Sequence, residues 1–260
     1  MKIGLAGVGS VGKFVINEVN VLQKVPGSIV SAIYSKDPQQ LDEFEDVCKG
    51  RFSELGEFLS EDMDLVVEAT TVEAARFLTP EILESGRSML LLSVGALVND
   101  EFRQQTEALC RRFDVKVYVP SGAIGGLDAI RAAAALGGLN DVSITTTKPP
   151  ASLDRALSSG TQQEIFNGSG AEAIDLFPKN VNVAVALALS GLGTQETRVR
   201  VVADPSTSRN RHFIEAEGEF GQLTVDLRCG PMAGNPRTSA LAAASVIAAL
   251  RNLDSPIEFV

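Results

Sequence analysis

Short apolar runs alternate with longer amphipathic stretches across the first 120 residues of the chain. The runs predict strands at 2–6, 29–34, 65–69, 88–92 and 116–119. The stretches between them predict helices at 13–22, 41–48, 72–85 and 100–113. The predicted strands are apolar throughout rather than at every second residue, which suits a parallel sheet covered on both faces. Strands alternating with helices in this way predict an α/β fold, a doubly wound parallel sheet.

The texture changes after Pro120. Ser121-Gly122-Ala123-Ile124-Gly125-Gly126 reads as a glycine-rich turn that marks a domain boundary and opens an alanine-rich helix over 127–136. Beyond it, strands at 141–147, 197–203, 211–219 and 221–228 have hairpin-like spacing, so a second α+β domain with a mixed or antiparallel sheet is expected. Helices at 171–176 and 182–189 should cover one of its faces. A last helix over 238–252, capped by the Asn235-Pro236 turn, is expected to pack back on the first domain. The division is therefore 1–120 completed by 236–260, and 121–235.

Composition narrows the partners. With 260 residues, 45% of them hydrophobic, the chain can bury a substantial core. A net charge of −10 and a pI near 4.7 repel phosphate backbones and acidic membranes, so no nucleic acid and no membrane partner is expected. The apolar runs at 89–98, 181–192 and 239–250 are too short for a bilayer, which takes about 20 residues. Lys2 with the apolar residues after it faintly resembles a signal peptide, but glycines interrupt the segment, and a cytoplasmic protein is expected. Cys48, Cys110 and Cys229 are odd in number and far apart, which indicates neither a disulfide framework nor a metal site.

The first candidate chemistry lies at the N-terminus. Gly7-Val-Gly-Ser-Val-Gly12 follows the first predicted strand and opens a helix, the setting in which a GxGxxG turn grips a dinucleotide. Gly7 allows the turn, Gly9 leaves room for a pyrophosphate, Gly12 lets the helix approach the strand, and Ser10 and Val11 lie in the same turn. The cofactor is then NAD or NADP. The second strand ends near Tyr34-Ser35-Lys36-Asp37, which offers a hydroxyl and an ammonium before the first acid. Two readings stand: Ser35 and Lys36 hold a 2′-phosphate, or both are solvated loop residues and Asp37 or a backbone group meets the ribose. Ligands of such sheets bind at the carboxyl ends of the strands. That rule selects Ala69-Thr70-Thr71 and Ser93-Val94-Gly95-Ala96 as floors for the cofactor; the bland alternative is small residues closing tight turns.

The second half offers one distinctive side chain. His212 is the chain's single histidine, at the mouth of a predicted strand after the polar loop 203–210, where an imidazole can donate or accept protons. Its alternative is an incidental surface or packed residue. Lys148, followed by Pro149 and Pro150, is a candidate anchor for a substrate carboxylate, or else a solvated loop lysine.

Taken together, these segments resemble the L-aspartate dehydrogenase family. The resemblance spans nearly the whole chain and rests on Gly7 to Gly12, Ser93-Val-Gly-Ala-Leu97, Ser121 to Gly126, Lys148-Pro-Pro150, Phe177-Pro-Lys-Asn-Val-Asn-Val-Ala184, Ala203-Asp-Pro205, Asn210-x-His212 and Asn235-Pro-Arg-Thr-Ser239. It implies a fold like the dihydrodipicolinate reductase and homoserine dehydrogenase group. It also implies His212 as the catalytic residue, Ala123 and Asn182 against the nicotinamide cofactor, and a homodimer built through the second-domain sheet. Some relatives carry an acid where this chain has Tyr34-Ser35-Lys36, which leaves NAD against NADP open.

The implied reaction is NAD(P)-dependent oxidative deamination of L-aspartate through iminoaspartate to oxaloacetate and ammonia, serving either pyridine nucleotide biosynthesis or aspartate breakdown. Besides Lys148, the Ser121 hydroxyl, Thr238 and the backbone of 122–126 are candidate donors to the substrate carboxylates. Two rivals remain: another amino-acid dehydrogenase or reductase on the same fold, and a non-catalytic NAD(P)-binding sensor. The sensor has no need of His212, Lys148 and the polar loop together.

Overall fold

Strand β1 (Lys2–Ala6) enters the sheet as the first of a set of buried apolar segments and is flanked on both sides by parallel neighbours. The computed structural model describes residues 1–153, 160–177, 182–232 and 235–258, apart from the side chains of residues 175, 236 and 237. The chain divides into two units, Met1–Pro120 with the segment from Ser245 onward, and Ser121–Ala244.

In the first unit, β1 is joined by β2 (Ile29–Tyr34), β3 (Gly50–Phe52), β4 (Leu65–Glu68), β5 (Ser88–Leu91) and β6 (Val117–Tyr118) in the order β3-β2-β1-β4-β5-β6, all parallel. Ile3, Leu5, Ile33, Val66, Val67, Met89 and Leu90 are buried, as two-sided coverage requires. Helices α1 (Ser10–Ile16), α2 (Leu55–Ser60), α3 (Val72–Glu84) and α4 (Asp100–Phe113) connect the strands. Thr71 and Asn99 cap α3 and α4 through their side-chain oxygens. The last helix of the chain (Ala240–Leu253, named α9 below) sends Val246 and Leu250 into the same core as Ile3, Leu5 and Ile33.

Several predicted elements differ from those observed. The helix expected at 13–22 is α1 followed by a wider π turn over Asn17–Val21, where Leu22 N–H bonds Asn17 O. The widening accompanies Asn20, whose side chain bonds both the N–H and the carbonyl of Val30 and the carbonyl of Val47. The helix expected at 41–48 is instead a 3₁₀ turn over Pro38–Phe44. Its buried residues, Leu41 and Phe44, are three apart, a spacing the tighter helix serves as well. The short elements β3 and α2 lack an apolar run long enough to announce them.

The second unit holds a five-stranded mixed sheet of β7 (Leu139–Lys148), β8 (Gln163–Ser169), β9 (Arg198–Ala203), β10 (Asn210–Gly218) and β11 (Gly221–Cys229) in the order β11-β10-β7-β9-β8. Only β7 and β9 run parallel; the other pairs are antiparallel. Helices α5 (Leu127–Ala135), α6 (Gly170–Leu176), α7 (Asn182–Ser190) and α8 (Gly193–Glu196) pack with it, α5 against β7 and α6 against β8 and β9. The edge strand β8 was not expected, because its polar residues, largely solvent-facing, hide the pattern. Residues 235–239, expected as a capping turn and helix start, form a strand paired with 231–232. Proline at 236 favours extended backbone before it, and α9 (Ala240–Leu253) begins only after Ser239, whose hydroxyl accepts the Leu241 N–H. Among the described residues no helix is long and apolar enough to cross a membrane.

Candidate active site

The carboxyl edge of the parallel sheet gathers the predicted nucleotide residues of the first unit. Tyr34 O at the end of β2 receives Gly7 N–H, and Ala6 O at the end of β1 receives Ala69 N–H, so the turns after β1, β2 and β4 are tied at one level. The three glycines of the first turn are there for different reasons. A Cβ on Gly7, whose φ is +97°, would lie 2.6 Å from Ala69 O, and one on Gly12 would lie 2.1 Å from Gly7 O. Both are demanded by the chain's own packing. A Cβ on Gly9 would meet no protein atom within 4 Å, and its φ of −67° suits any residue. Bareness at Gly9 keeps open the space beside the first turn of α1, where Ser10 and Val11 are half-buried and where N–H groups favour a phosphate. These residues fit a dinucleotide.

At the end of β2, the two sequence readings part. Ser35 is buried, its hydroxyl donating to Gln40 Oε1 at 3.3 Å and accepting Asp37 N–H at 3.2 Å, so it is not a solvated loop residue. Asp37 turns its carboxylate to Gln39 N–H and Gln40 Nε2 and caps the 3₁₀ turn, which commits it to local structure. Lys36 is exposed, with its ammonium 5.0 Å from the centre of the Phe77 ring.

Thr70 and Ser93 meet through a residue that the sequence reading missed. Glu68 ends β4 and accepts hydrogen bonds from both, together with the Leu92 N–H. Its signal was available: a lone acid closing the otherwise apolar strand Leu65-Val66-Val67.

In the second unit, alternation along two strands builds a buried polar layer. The inward rows read Val142, Ile144, Thr146, Lys148 on β7 and Ala216, Ile214, His212, Asn210 on β10, all buried. Ile144 stands opposite Ile214 and Thr146 opposite His212, so both rows turn from apolar to polar at the same level. His212 is 3% exposed and Lys148 6%, so neither is the surface residue that the alternative readings allowed. Thr146 Oγ1 lies 3.0 Å from His212 Nδ1. Thr146 is the second missed residue; only the strand register exposes it.

Burial sets the charges of this layer. Loss of solvent pulls the Lys148 ammonium down from its usual value to about 8. Loss of solvent, helped by the neighbouring Lys148 charge, pulls the His212 imidazole down to about 4. At pH 7 the layer holds a protonated lysine beside a neutral imidazole, an arrangement that offers one cation and one proton acceptor.

The remaining predicted residues of this unit are more scattered. Ala123 is buried and its carbonyl accepts from Cys229 Sγ at the end of β11, the strand beside β10. Ser121 is exposed, as is Asn182 at the start of α7. Thr238 is half-buried, its Oγ1 accepting from Asn235 Nδ2 at 3.1 Å. Residues 178–181 of the Phe177 to Ala184 motif lie outside the described residues. Asp204 in the polar loop folds onto Ser206 N–H and Oγ and closes a local turn.

Known proteins match both units. Residues 7–120 match the family described as "Homoserine dehydrogenase, NAD binding domain", and residues 128–253 the family described as "Aspartate dehydrogenase, C-terminal". The chain is 37% identical over 274 residues to the L-aspartate dehydrogenase of Methanosarcina mazei, covering 99% of this chain and 98% of that one. It is 39% identical over 258 residues to that of Methanospirillum hungatei, with the same coverage. Among solved structures, aspartate dehydrogenase from Thermotoga maritima superposes with a TM-score of 0.79 at 28% identity, covering 100% of this chain and 99% of that one.

Proposed function

The chain belongs to the L-aspartate dehydrogenase family, and from that premise we propose how its own residues divide the work of an NAD(P)-dependent oxidoreductase acting on a CH–NH₂ group. The substrate is L-aspartate, and the products are oxaloacetate and ammonia. The Gly7 to Gly12 turn, Lys36, Thr70 and Ser93 hold the dinucleotide, which supplies the hydride acceptor when bound.

The observation that carries the assignment is the buried polar layer of Thr146, Lys148 and His212 at the end of an apolar face. Aspartate brings two carboxylates and an ammonium. Lys148, protonated at neutral pH, is the donor for one carboxylate. The ammonium must lose a proton before nitrogen can drive hydride from Cα, and the neutral His212 imidazole is the acceptor for it. Once that proton has passed to solvent, the same imidazole removes one from the water that adds to the imine carbon and returns it to the departing ammonia, which leaves as ammonium with the hydroxyl proton as the carbonyl forms. Overall, aspartate and water give oxaloacetate, ammonium, one hydride transferred and one proton released. The substrate's two carboxylates raise the imidazole's proton affinity, because opposite charge nearby favours the charged form. His212 is thus a weak base in the empty protein and a stronger one with substrate in place.

Ser121, Thr238, Ala123 and Asn182 complete the proposal as contacts to substrate or nicotinamide. A homodimer through the second unit's sheet belongs to the same proposal and is checked by sedimentation. The direct test mixes purified protein with L-aspartate and NAD⁺ or NADP⁺ and follows absorbance of the reduced nicotinamide. His212→Ala should lose most turnover while binding the nucleotide as before. Equal loss of both would place His212 in the scaffold instead.

A further inference from the structure

Glu68 is fully buried, at 0% exposure, at the end of the central strand β4. A carboxylate so placed needs donors on both oxygens, and five are present. Oε1 accepts from Thr70 N–H at 2.7 Å, Thr70 Oγ1 at 2.5 Å and Ser93 Oγ at 2.9 Å. Oε2 accepts from Ser93 N–H at 2.9 Å and Leu92 N–H at 3.2 Å. All five donors come from two loops, one leaving β4 and one leaving β5. Ser93 Oγ also lies 3.3 Å from Thr70 O, so its single hydrogen is shared between the acid and the neighbouring loop.

A buried carboxylate is a poor device for stability alone, since an apolar side chain of similar size commonly does as well. What it does provide is one fixed conformation for two loops. Their location gives that fixity a purpose. Ala6 of β1 stands opposite Glu68 of β4, and between these two strands the sheet order reverses. Dinucleotides lie across such a crevice, at the carboxyl ends of the strands. The glycine turn after β1 and the end of β2 serve the pyrophosphate and adenosine, which leaves the β4 and β5 loops to the other end of the molecule.

We propose that Glu68 is a positioning residue for the nicotinamide half of the cofactor: it clamps the Thr70 and Ser93 loops into the floor that this half rests on, without touching the reacting atoms. The proposal rests on the first unit being the nucleotide-binding unit.

ADP-ribose, which is NAD without its nicotinamide, separates the two halves. Dissociation constants for NAD⁺ and ADP-ribose, with melting temperatures, are to be measured on the unaltered protein, Glu68→Gln, Thr70→Val and Thr70→Ser. Glu68→Gln presents an NH₂ to a ring of donors. It should bind NAD⁺ about tenfold more weakly and ADP-ribose within about twofold of the unaltered protein. Thr70→Val should lose NAD⁺ affinity in the same selective way, and Thr70→Ser, which keeps the hydroxyl, should restore it. NAD⁺ affinity unchanged in both Glu68→Gln and Thr70→Val, or equal losses for both ligands, would overturn the proposal. Should Glu68→Gln not fold, the Thr70 pair decides by the same criterion. Failure of the unaltered protein to bind ADP-ribose would instead remove the nucleotide-binding premise, and the proposal with it.

Discussion

Thr146 Oγ1 lies 3.0 Å from His212 Nδ1 because antiparallel β7 and β10 set the two residues directly opposite each other. This contact fixes the imidazole's plane and commits one ring nitrogen, leaving Nε2 for chemistry. For Nε2 to accept a proton, Nδ1 must carry the hydrogen and donate it to Thr146. The chain has a single histidine, so ¹⁵N spectra of the imidazole are unambiguous. They should show the Nδ1–H tautomer at pH 7. Thr146→Val keeps the shape but removes the acceptor, and should lower kcat roughly 10- to 100-fold with the nucleotide dissociation constant unchanged. Thr146→Ser should recover most of the loss. A kcat unchanged in Thr146→Val would remove Thr146 from the mechanism.

The same histidine sets an acid limit to stability. Its proton affinity is pulled down from 6.5 to about 4 by burial, first, and by the Lys148 charge, second. Above pH 6.5 neither folded nor unfolded chain binds this proton, and the group exerts no effect. As pH falls from 6.5 toward 4, the unfolded chain binds it and the folded one does not, so stability falls. The loss approaches an order of 3 kcal/mol near pH 4. Urea unfolding at pH 7 and pH 4.5 should therefore show a smaller decline in His212→Gln than in the unaltered protein, and identical declines would contradict the burial argument.

Gly9→Val is a clean probe of the nucleotide site. The added side chain would meet no protein atom near its Cβ and needs no unusual backbone, so the melting temperature should stay close to that of the unaltered protein. Nucleotide affinity should fall by at least about a hundredfold, because the valine fills the space left for pyrophosphate. Gly12→Ala should behave oppositely and destabilise the fold itself, since its Cβ would sit 2.1 Å from Gly7 O. Unaltered cofactor binding in Gly9→Val would refute the turn assignment.

Legibility in the sequence followed the strength of local pattern. β1 and β2 were readable to the residue, because wholly apolar segments bounded by glycine or polar turns admit few alternatives. The glycine turn, His212 and Lys148 were visible as residue types in context. What the sequence hid was pairing across distance. Thr146 reads as one of three consecutive threonines until β7 is registered against β10, and Glu68 acquires its meaning only when β4 and β5 bring two loops onto it. The edge strands β3 and β8 were invisible for a related reason: partly solvated strands lack the apolar signal that marks central ones.

The part of Lys36 in cofactor choice can be tested directly. Ser35 and Asp37 spend their side chains on the turn over Pro38–Phe44, leaving Lys36 as the exposed cation at the end of β2. Lys36→Glu should lower kcat/KM for NADP⁺ about tenfold or more through charge repulsion, with little change for NAD⁺. Unchanged relative efficiencies would show that the ammonium over the Phe77 ring does not read the 2′-phosphate.

Lys148 should impose an alkaline limit on dicarboxylate binding. Burial lowers its proton affinity to about 8, so above that pH the empty site loses the cation that would receive a carboxylate. Aspartate itself is a poor reporter, because its own amino group also titrates on the alkaline side. Succinate carries the two carboxylates without the amine and isolates the effect. Its affinity for the enzyme holding oxidised cofactor should be flat from pH 6.5 to about 7.5 and fall as pH rises through 8. Lys148→Met should bind succinate weakly at every pH, with no inflection, because the charge is gone from the outset. Persistence of the inflection in that variant would assign the carboxylate to another donor, and Ser121 and Thr238, whose hydroxyls do not titrate in this range, would not account for it.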